Sequence, residues 1–271
     1  MTQPQTDMNA LKARLKATWM SGDYSTFATP LLPGALEFLK RADLKLGERM
    51  LDVGCGAGQT AIPAAQAGAI VTGVDIATNL IEHARERARK EQVDVTFEEG
   101  DAEDLQYPDA SFDVVLSLFA AMFAPRPDLV AKELTRVCRR GGRIVMGNWT
   151  PTCFIGQMFK VIGRHVPPAP MPSPLLWGNE DTVRERLGDR VRDVVMTHGS
   201  YQFDYPFSPE RTVEFFATYY GPTNRAFAVL DEAGQAALKR DLTALWSDNN
   251  QAQDGRTIVY SDLLTVQAIR A

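Results

Sequence analysis

A chain of 271 residues, 45% of them hydrophobic, is long enough to bury a full core as one domain with an appended lobe. Its formal charge of −5 and pI near 5.3 exclude the concentrated basic face of a nucleic-acid groove, and three irregularly spaced cysteines suggest neither a disulfide framework nor a zinc site. No apolar run reaches the roughly eighteen residues needed to cross a bilayer and the first twenty residues carry no signal-peptide core, so the expectation is a cytoplasmic protein without membrane insertion.

In chain order, residues 1–8 are polar and expected to fray. A helix is predicted over about 9–20, leading into Ser21-Gly22-Asp23-Tyr24, and another over 33–41. Residues 50–53 have the length of a buried parallel strand and break into glycines at every second position, Gly54, Gly56 and Gly58. An alanine-rich helix follows over 60–67. A second strand over 69–75 ends in Asp75. The helix that begins near Thr78 carries Arg85-Glu86-Arg87-Ala88-Arg89-Lys90-Glu91, whose alternating signs mark a solvated face. A third strand, 93–98, runs into Gly100-Asp101-Ala102-Glu103-Asp104-Leu105, and a fourth spans 112–117. A helix over 128–139 then reaches Gly141-Gly142, which is expected to turn the chain into a fifth strand over 143–149.

The second half changes character. After a helix near 155–164, the run Val166-Pro167-Pro168-Ala169-Pro170-Met171-Pro172-Ser173-Pro174 cannot be regular helix or central strand and is expected to be a stiff loop. A short helix near 181–187, a strand over 191–203, a helix over 209–220, a longer one near 223–247 and a strand over 257–269 complete the chain. Aromatic residues gather here, from Phe203 to Tyr220, with Phe119, Met122, Phe123, Trp149 and Trp177 joining from the sheet side. Such a set can wall a pocket for a flat, apolar molecule, or simply form the core of the lobe. Met122, Phe123, Trp149 and Tyr219 are the candidate substrate residues.

Strand, glycine turn and helix start together make a ligand site, because glycine lets a ligand lie almost against the main chain. In a doubly wound sheet Asp75 falls at the carboxyl edge beside that turn, where its two oxygens can accept from both hydroxyls of a ribose. A dinucleotide-binding dehydrogenase has a similar spacing. However, the order here is Asp-x-Gly-x-Gly-x-Gly, and Asp52 placed just before the turn would repel a pyrophosphate and welcome a cation.

The ordered set Leu51-Asp52-Val53-Gly54-Cys55-Gly56-Ala57-Gly58, Gly73-Val74-Asp75, Glu99-Gly100-Asp101-Ala102-Glu103, Ser111-Phe112-Asp113-Val114-Val115 and Arg136-Val137-Cys138-Arg139-Arg140-Gly141-Gly142-Arg143 resembles the class I S-adenosylmethionine-dependent methyltransferases. Within them it is similar to the branch, methyltransferase type 11, that includes the ubiquinone and menaquinone C-methyltransferases. The resemblance covers about residues 30–150. It implies a Rossmann-like, doubly wound α/β fold with a seven-stranded, mostly parallel sheet whose last strand is antiparallel, plus a helical lid. The implied organisation is an N-terminal cap helix (1–30), a cofactor-binding core (31–150), and the remainder of the sheet (151–271) with a substrate lid at about 205–250.

S-adenosyl-L-methionine, leaving as S-adenosyl-L-homocysteine, is the cofactor that the resemblance implies. In that reading Gly54, Gly56 and Gly58 lie along its methionine and ribose, Asp52 helps bind the ammonium, and Asp75 holds the ribose. Ile76 covers one adenine face, Asp101 and the amide of Ala102 meet the adenine nitrogens, and Ser117 and Leu118 line the methionine end. Trp19 and Tyr24 either cap the sulfonium pocket or pin the terminal helix to the core. The chemistry needs positioning and exclusion of water more than an acid or base; His165 and Tyr24 are the only candidates for a base. No acid cluster of the magnesium-dependent kind is present, so no metal is expected. The expected partner is a small aromatic or hydrophobic metabolite methylated on O, N or C, with no nucleic acid. A cofactor-binding regulator and a protein methyltransferase are the alternatives.

Overall fold

The strands that carry the glycine turn are apolar on both sides, Met-Leu-Asp-Val and Asp-Val-Val-Leu, as a parallel sheet covered on two faces requires. In the computed structural model, which describes residues 5–271, they form the centre of one seven-stranded sheet. Strands β1 (Arg49–Val53), β2 (Ile70–Asp75), β3 (Thr96–Glu99), β4 (Phe112–Leu118) and β5 (Cys138–Trp149) run parallel. Strand β7 (Thr257–Arg270) lies antiparallel between β5 and β6 (Val191–Tyr205), giving the order β3-β2-β1-β4-β5-β7-β6. This is the doubly wound α/β sheet expected, with its last strand reversed.

Alternation along the strands sorts the core into two layers. Met50, Val114 and Leu116 pack with helices α3 (Leu32–Lys40), α4 (Ala61–Gln66) and α5 (Thr78–Glu91), while Leu51, Val53 and Val115 face the opposite layer. That layer holds α6 (Pro127–Val137), α7 (Phe154–His165) and α8 (Glu180–Leu187). Leu51 and Leu116 are fully buried, each contributing about 1.5–3 kcal/mol of transfer free energy.

Helix α1 (Gln5–Trp19) begins earlier than expected, and Met8 and Leu11 are buried; the expected fraying of residues 1–4 lies outside the described residues. Helix α2 (Tyr24–Ala28) is capped by Asp23, whose Oδ1 accepts from the Ser25 and Thr26 amides at 3.0 and 3.2 Å, a contribution of about 1 kcal/mol.

Three further boundaries differ from expectation. Strand β3 starts at Thr96, not 93, because α5 ends on Gln92 in the left-handed region (φ 55°) and the Val93 amide still bonds back to Ala88. Gly141-Gly142 lies inside β5, not before it. The strand begins at Cys138 and its pairing jumps from Phe112↔Cys138 to Val114↔Arg143, so the extra residues form a bulge. The long helix expected near 223–247 is two helices, α10 (Gly221–Ala228) and α11 (Glu232–Asn249), since Asp231 caps a new start by accepting from Gly234 N–H at 2.8 Å.

Helices α9 (Pro209–Tyr219), α10 and α11 are inserted between β6 and β7. They enclose an aromatic core in which Phe203, Tyr205, Phe216 and Trp246 are buried. The end of α9 and the start of α10 meet the N-terminal segment through two glycines. A Cβ at Gly22 (φ 74°) would sit 2.7 Å from the Tyr219 carbonyl oxygen, and one at Gly221 would run into the Thr18 carbonyl. The Ser21 hydroxyl donates to Asn224 Oδ1 at 2.5 Å across the same seam.

Candidate functional site

A cavity of about 850 Å³, its open mouth included, lies at the carboxyl ends of β1, β2 and β4. Its floor is the turn after β1, where Gly54 and Gly56 have φ of 75° and 53° and the Gly54 amide donates to Val74 O at 2.7 Å. The three glycines divide their work. A Cβ on Gly54 would collide with Ala120, and one on Gly58 would press Ile62 and Phe97 at 2.9 and 3.2 Å. Gly56 alone is open, with its nearest neighbours Gln59 at 3.4 Å and Tyr24 at 3.8 Å. Gly58 does not line the cavity; it packs the turn against α4 and Phe97.

Asp75 stands on the wall with 9% of its surface exposed. Its Oδ2 accepts from Gly56 N–H at 2.9 Å and Oδ1 from Ala77 N–H at 2.8 Å, so each oxygen keeps a lone-pair direction free. Burial raises its carboxyl above the ordinary value against these backbone bonds. Asp52 lies behind the wall, 1% exposed. Its Oδ2 accepts from the Thr60 hydroxyl, while Oδ1 is buried without a partner. Burial pushes this carboxyl up to about 7, with the Thr60 bond opposing and the charge of Asp75 adding. A buried acceptor lacking a donor costs free energy, and a cation or its bound water at that position would recover it. Thr60 was not singled out from sequence; its signal is the position two residues after Gly58, the last glycine of the turn.

Ile76, Asp101, Ala102 and Leu118 line the cavity together with Trp19 and Tyr24. Ser117 does not: its hydroxyl donates to Val53 O at 2.8 Å and accepts from Ala121 N–H at 3.0 Å, which ties β4 to β1 and closes the turn beyond. Burial, and after it the charge of Asp75, raises the Tyr24 phenol, so at neutral pH it keeps its proton.

At the far end Phe119 and Phe123 form the wall. Phe119 has φ 52° and its amide donates to Gly147 O at 2.8 Å, a conformation that costs a bulky residue about 1–3 kcal/mol. Its ring stacks on Trp149, centroids 3.6 Å apart and planes at 4°. Trp149 therefore sits behind Phe119 and not on the cavity. Met122 is buried in the core, and Tyr219 packs on Phe215 with centroids 4.9 Å apart; neither lines the cavity. Of the four candidate substrate residues only Phe123 does, with its ring edge-on to Trp19 at 5.0 Å. His165 is elsewhere, its Nε2 2.9 Å from Asp241 Oδ2 between α7 and α11. Lys12 and Leu15 of α1 are wall residues not anticipated from sequence.

Among the described residues no cluster of three or more His, Cys, Asp or Glu side chains converges as a metal site, and no helix is long and apolar enough to cross a membrane.

The family described as "Methyltransferase domain" matches residues 51–146, from β1 into β5. An uncharacterised protein of Mycobacterium tuberculosis is 36% identical over 247 residues, covering 89% of this chain and 90% of its own. The 27-O-demethylrifamycin SV methyltransferase of Amycolatopsis mediterranei is 45% identical over 109 residues, 39% of this chain and 40% of that protein. The YcgJ protein of Bacillus subtilis is similar in fold, with a TM-score of 0.59 at 18% identity over 87% of this chain and 97% of that one. With its methyltransferase domain spanning the strands whose carboxyl ends form the cavity, and its sheet closing on a reversed seventh strand, this chain belongs to the class I S-adenosylmethionine-dependent methyltransferases.

Proposed function

We propose that the cavity holds S-adenosylmethionine with its ribose at Asp75 and its sulfonium under Trp19 and Tyr24. The acceptor in this reading is an oxygen, nitrogen or carbon atom of a small aromatic or otherwise hydrophobic metabolite. The observation that carries the reading is the change of character along one cavity, from the carboxylates Asp75 and Asp101 at one end to the rings of Phe119, Phe123 and Trp19 at the other. The open approach at Gly56 and the orphaned acceptor on Asp52 fit a ligand that brings hydroxyls and an ammonium to this turn. The Amycolatopsis relative, named for methylating 27-O-demethylrifamycin SV, supports a metabolite as the acceptor.

When bound, the cofactor supplies an electrophilic methyl carbon whose sulfur leaves as a neutral thioether. Asp75 uses its free lone pairs on the ribose hydroxyls. Ile76 and Ala102 flank the adenine, Asp101 accepts from its amino group, and Leu118 and the side-chain-free face of Gly54 and Gly56 meet the methionine part. Gly58 and Ser117 support that surface from behind, as Met122, Trp149 and Tyr219 support the acceptor wall. Phe119 and Phe123 orient the acceptor, and α1 and α2 exclude water. Positioning of this kind can supply several kcal/mol of the barrier reduction, so neither His165 nor Tyr24 is needed as a base.

The test is methyl transfer from isotopically labelled S-adenosylmethionine into metabolite extracts, read by mass spectrometry. Small molecules gaining one labelled methyl group are expected. Label appearing only in protein would overturn the acceptor class, and cofactor bound without transfer to any extract would favour a regulator.

A further inference from the structure

Helix α1 presents two rows of side chains. Met8, Leu11, Leu15 and Trp19 face the protein, and Lys12 and Lys16, four apart, run along their flank. Opposite that flank stand three carboxylates on alternate residues, Glu99, Asp101 and Glu103. Lys16 pairs with Glu99. Lys12 pairs with Asp101 and, at 2.5 Å, with Glu103 Oε2. The Glu103 side chain is fully buried and is held from its other side by Arg126, Nε to Oε2 at 2.7 Å and N–H to Oε1 at 2.6 Å. Asp101 is fixed in turn by the Glu103 amide on Oδ1 at 2.9 Å. Asp101 and Glu103 are thus each held by a second group besides Lys12.

Lys12 is the only cation among the described residues that line the cavity, and it lies there beside Asp101 and Ala102. Helix α1 forms the wall across that end through Lys12, Leu15 and Trp19, so its position narrows the way out for a ligand lying under it. With Lys12 17% exposed and Glu103 fully buried, the pair is screened by salt less than a surface pair but more than a buried one.

We propose that Lys12 is a positioning residue for the cofactor: by bridging Asp101 and Glu103 it latches α1 over the adenine side of the cavity and sets how long cofactor and demethylated product stay bound. The proposal rests on the reading that this cavity holds S-adenosylmethionine. Lys12 touches no reacting atom; it acts through the helix it closes and through the orientation of Asp101.

The experiment uses the full chain with Lys12→Met and Lys12→Arg. Stopped-flow release of S-adenosylhomocysteine, followed by the change in intrinsic tryptophan fluorescence, is measured between about 50 mM and about 0.5 M salt, and amide hydrogen exchange of α1 is measured without ligand. Release about tenfold faster in Lys12→Met is expected, with a flattened salt dependence, faster α1 exchange, and recovery of most of the dwell time in Lys12→Arg. Unchanged release and exchange in Lys12→Met would overturn the latch. Slower release would overturn it too, by showing that Lys12 competes with the cofactor for Asp101. Should the unaltered protein bind no S-adenosylhomocysteine while α1 exchange still depends on Lys12, the assignment of the cavity is what fails, and the cofactor role of Lys12 with it.

Discussion

Replacing Asp75 with Asn keeps the size of the side chain and removes its charge together with one of its acceptors. The native carboxylate accepts from Gly56 N–H at 2.9 Å and from Ala77 N–H at 2.8 Å, whereas an amide has a single oxygen and must turn its NH2 toward one of those donors. Stranding one buried N–H costs about 1–3 kcal/mol of folding stability. Cofactor loss adds to this. Hydrogen bonds to a charged acceptor are worth about 1.5–3 kcal/mol, so weakening those to the ribose lowers affinity by about 10- to 100-fold. Calorimetric titration with S-adenosylhomocysteine, alongside urea denaturation, reads both effects. A folded Asp75→Asn protein that binds within about twofold of the native one would refute the ribose role, since no folded-state rearrangement restores the lost charge.

Four further outcomes follow from the same geometry. Asp52 has a folded pKa of about 7 against an ordinary 3.8, so its contribution to stability is present below about pH 4 and is lost as pH rises through 7, on the order of 4 kcal/mol. Urea denaturation at pH 4 and pH 8 should show that fall in the native protein and a much flatter profile in Asp52→Asn; equal slopes would remove the buried acid from the account. A ligand ammonium near the orphaned Oδ1 favours the charged carboxyl, so cofactor affinity should rise with pH through about 7 and bind with proton release. Gly56→Val and Gly58→Val should both lower the melting temperature, because each puts a branched side chain on left-handed backbone (φ 53° and 82°), but only the first also blocks the open approach to the cavity and abolishes titration, while the second adds pressure on Ile62 and Phe97. Finally, His165→Gln should leave kcat unchanged and cost about 1 kcal/mol or less of stability, and a large loss of kcat would reinstate the histidine as a base.

How much of this was readable in the chain depended on how local the signal is. The Asp-x-Gly-x-Gly-x-Gly turn and the carboxylate ending β2 are set by neighbours in sequence, and the strands around them are buried on both faces, so their apolar runs are unmistakable. Gly58 and Ser117 were harder because their partners are distant: Phe97 crowds the first, and Val53 and Ala121 take up the hydroxyl of the second. The acceptor wall shows the same limit. Trp149 and Phe119 are thirty residues apart, and which ring faces the cavity is decided by the left-handed backbone of Phe119, which its side chain gives no reason to expect. Lys12 and Lys16 carry a visible four-residue spacing, yet their meaning depends on carboxylates more than eighty residues away. The break between α10 and α11 was local, in contrast, since Asp231 followed by Glu232 is an ordinary helix start.

The glycines at 22 and 221 bear on which parts of this chain can be exchanged with a relative. Gly22 lies against the backbone of Tyr219 and Gly221 against that of Thr18, so closely that neither position tolerates a methyl group, and residues 18–22 and the inserted helices have to be complementary as manufactured parts are. A chimera that imports only residues 205–250 from a relative would bring a foreign counterface to a native edge and fold poorly. Transplanting residues 5–24 along with them should preserve the joint, making the unit of exchange two stretches at opposite ends of the polypeptide.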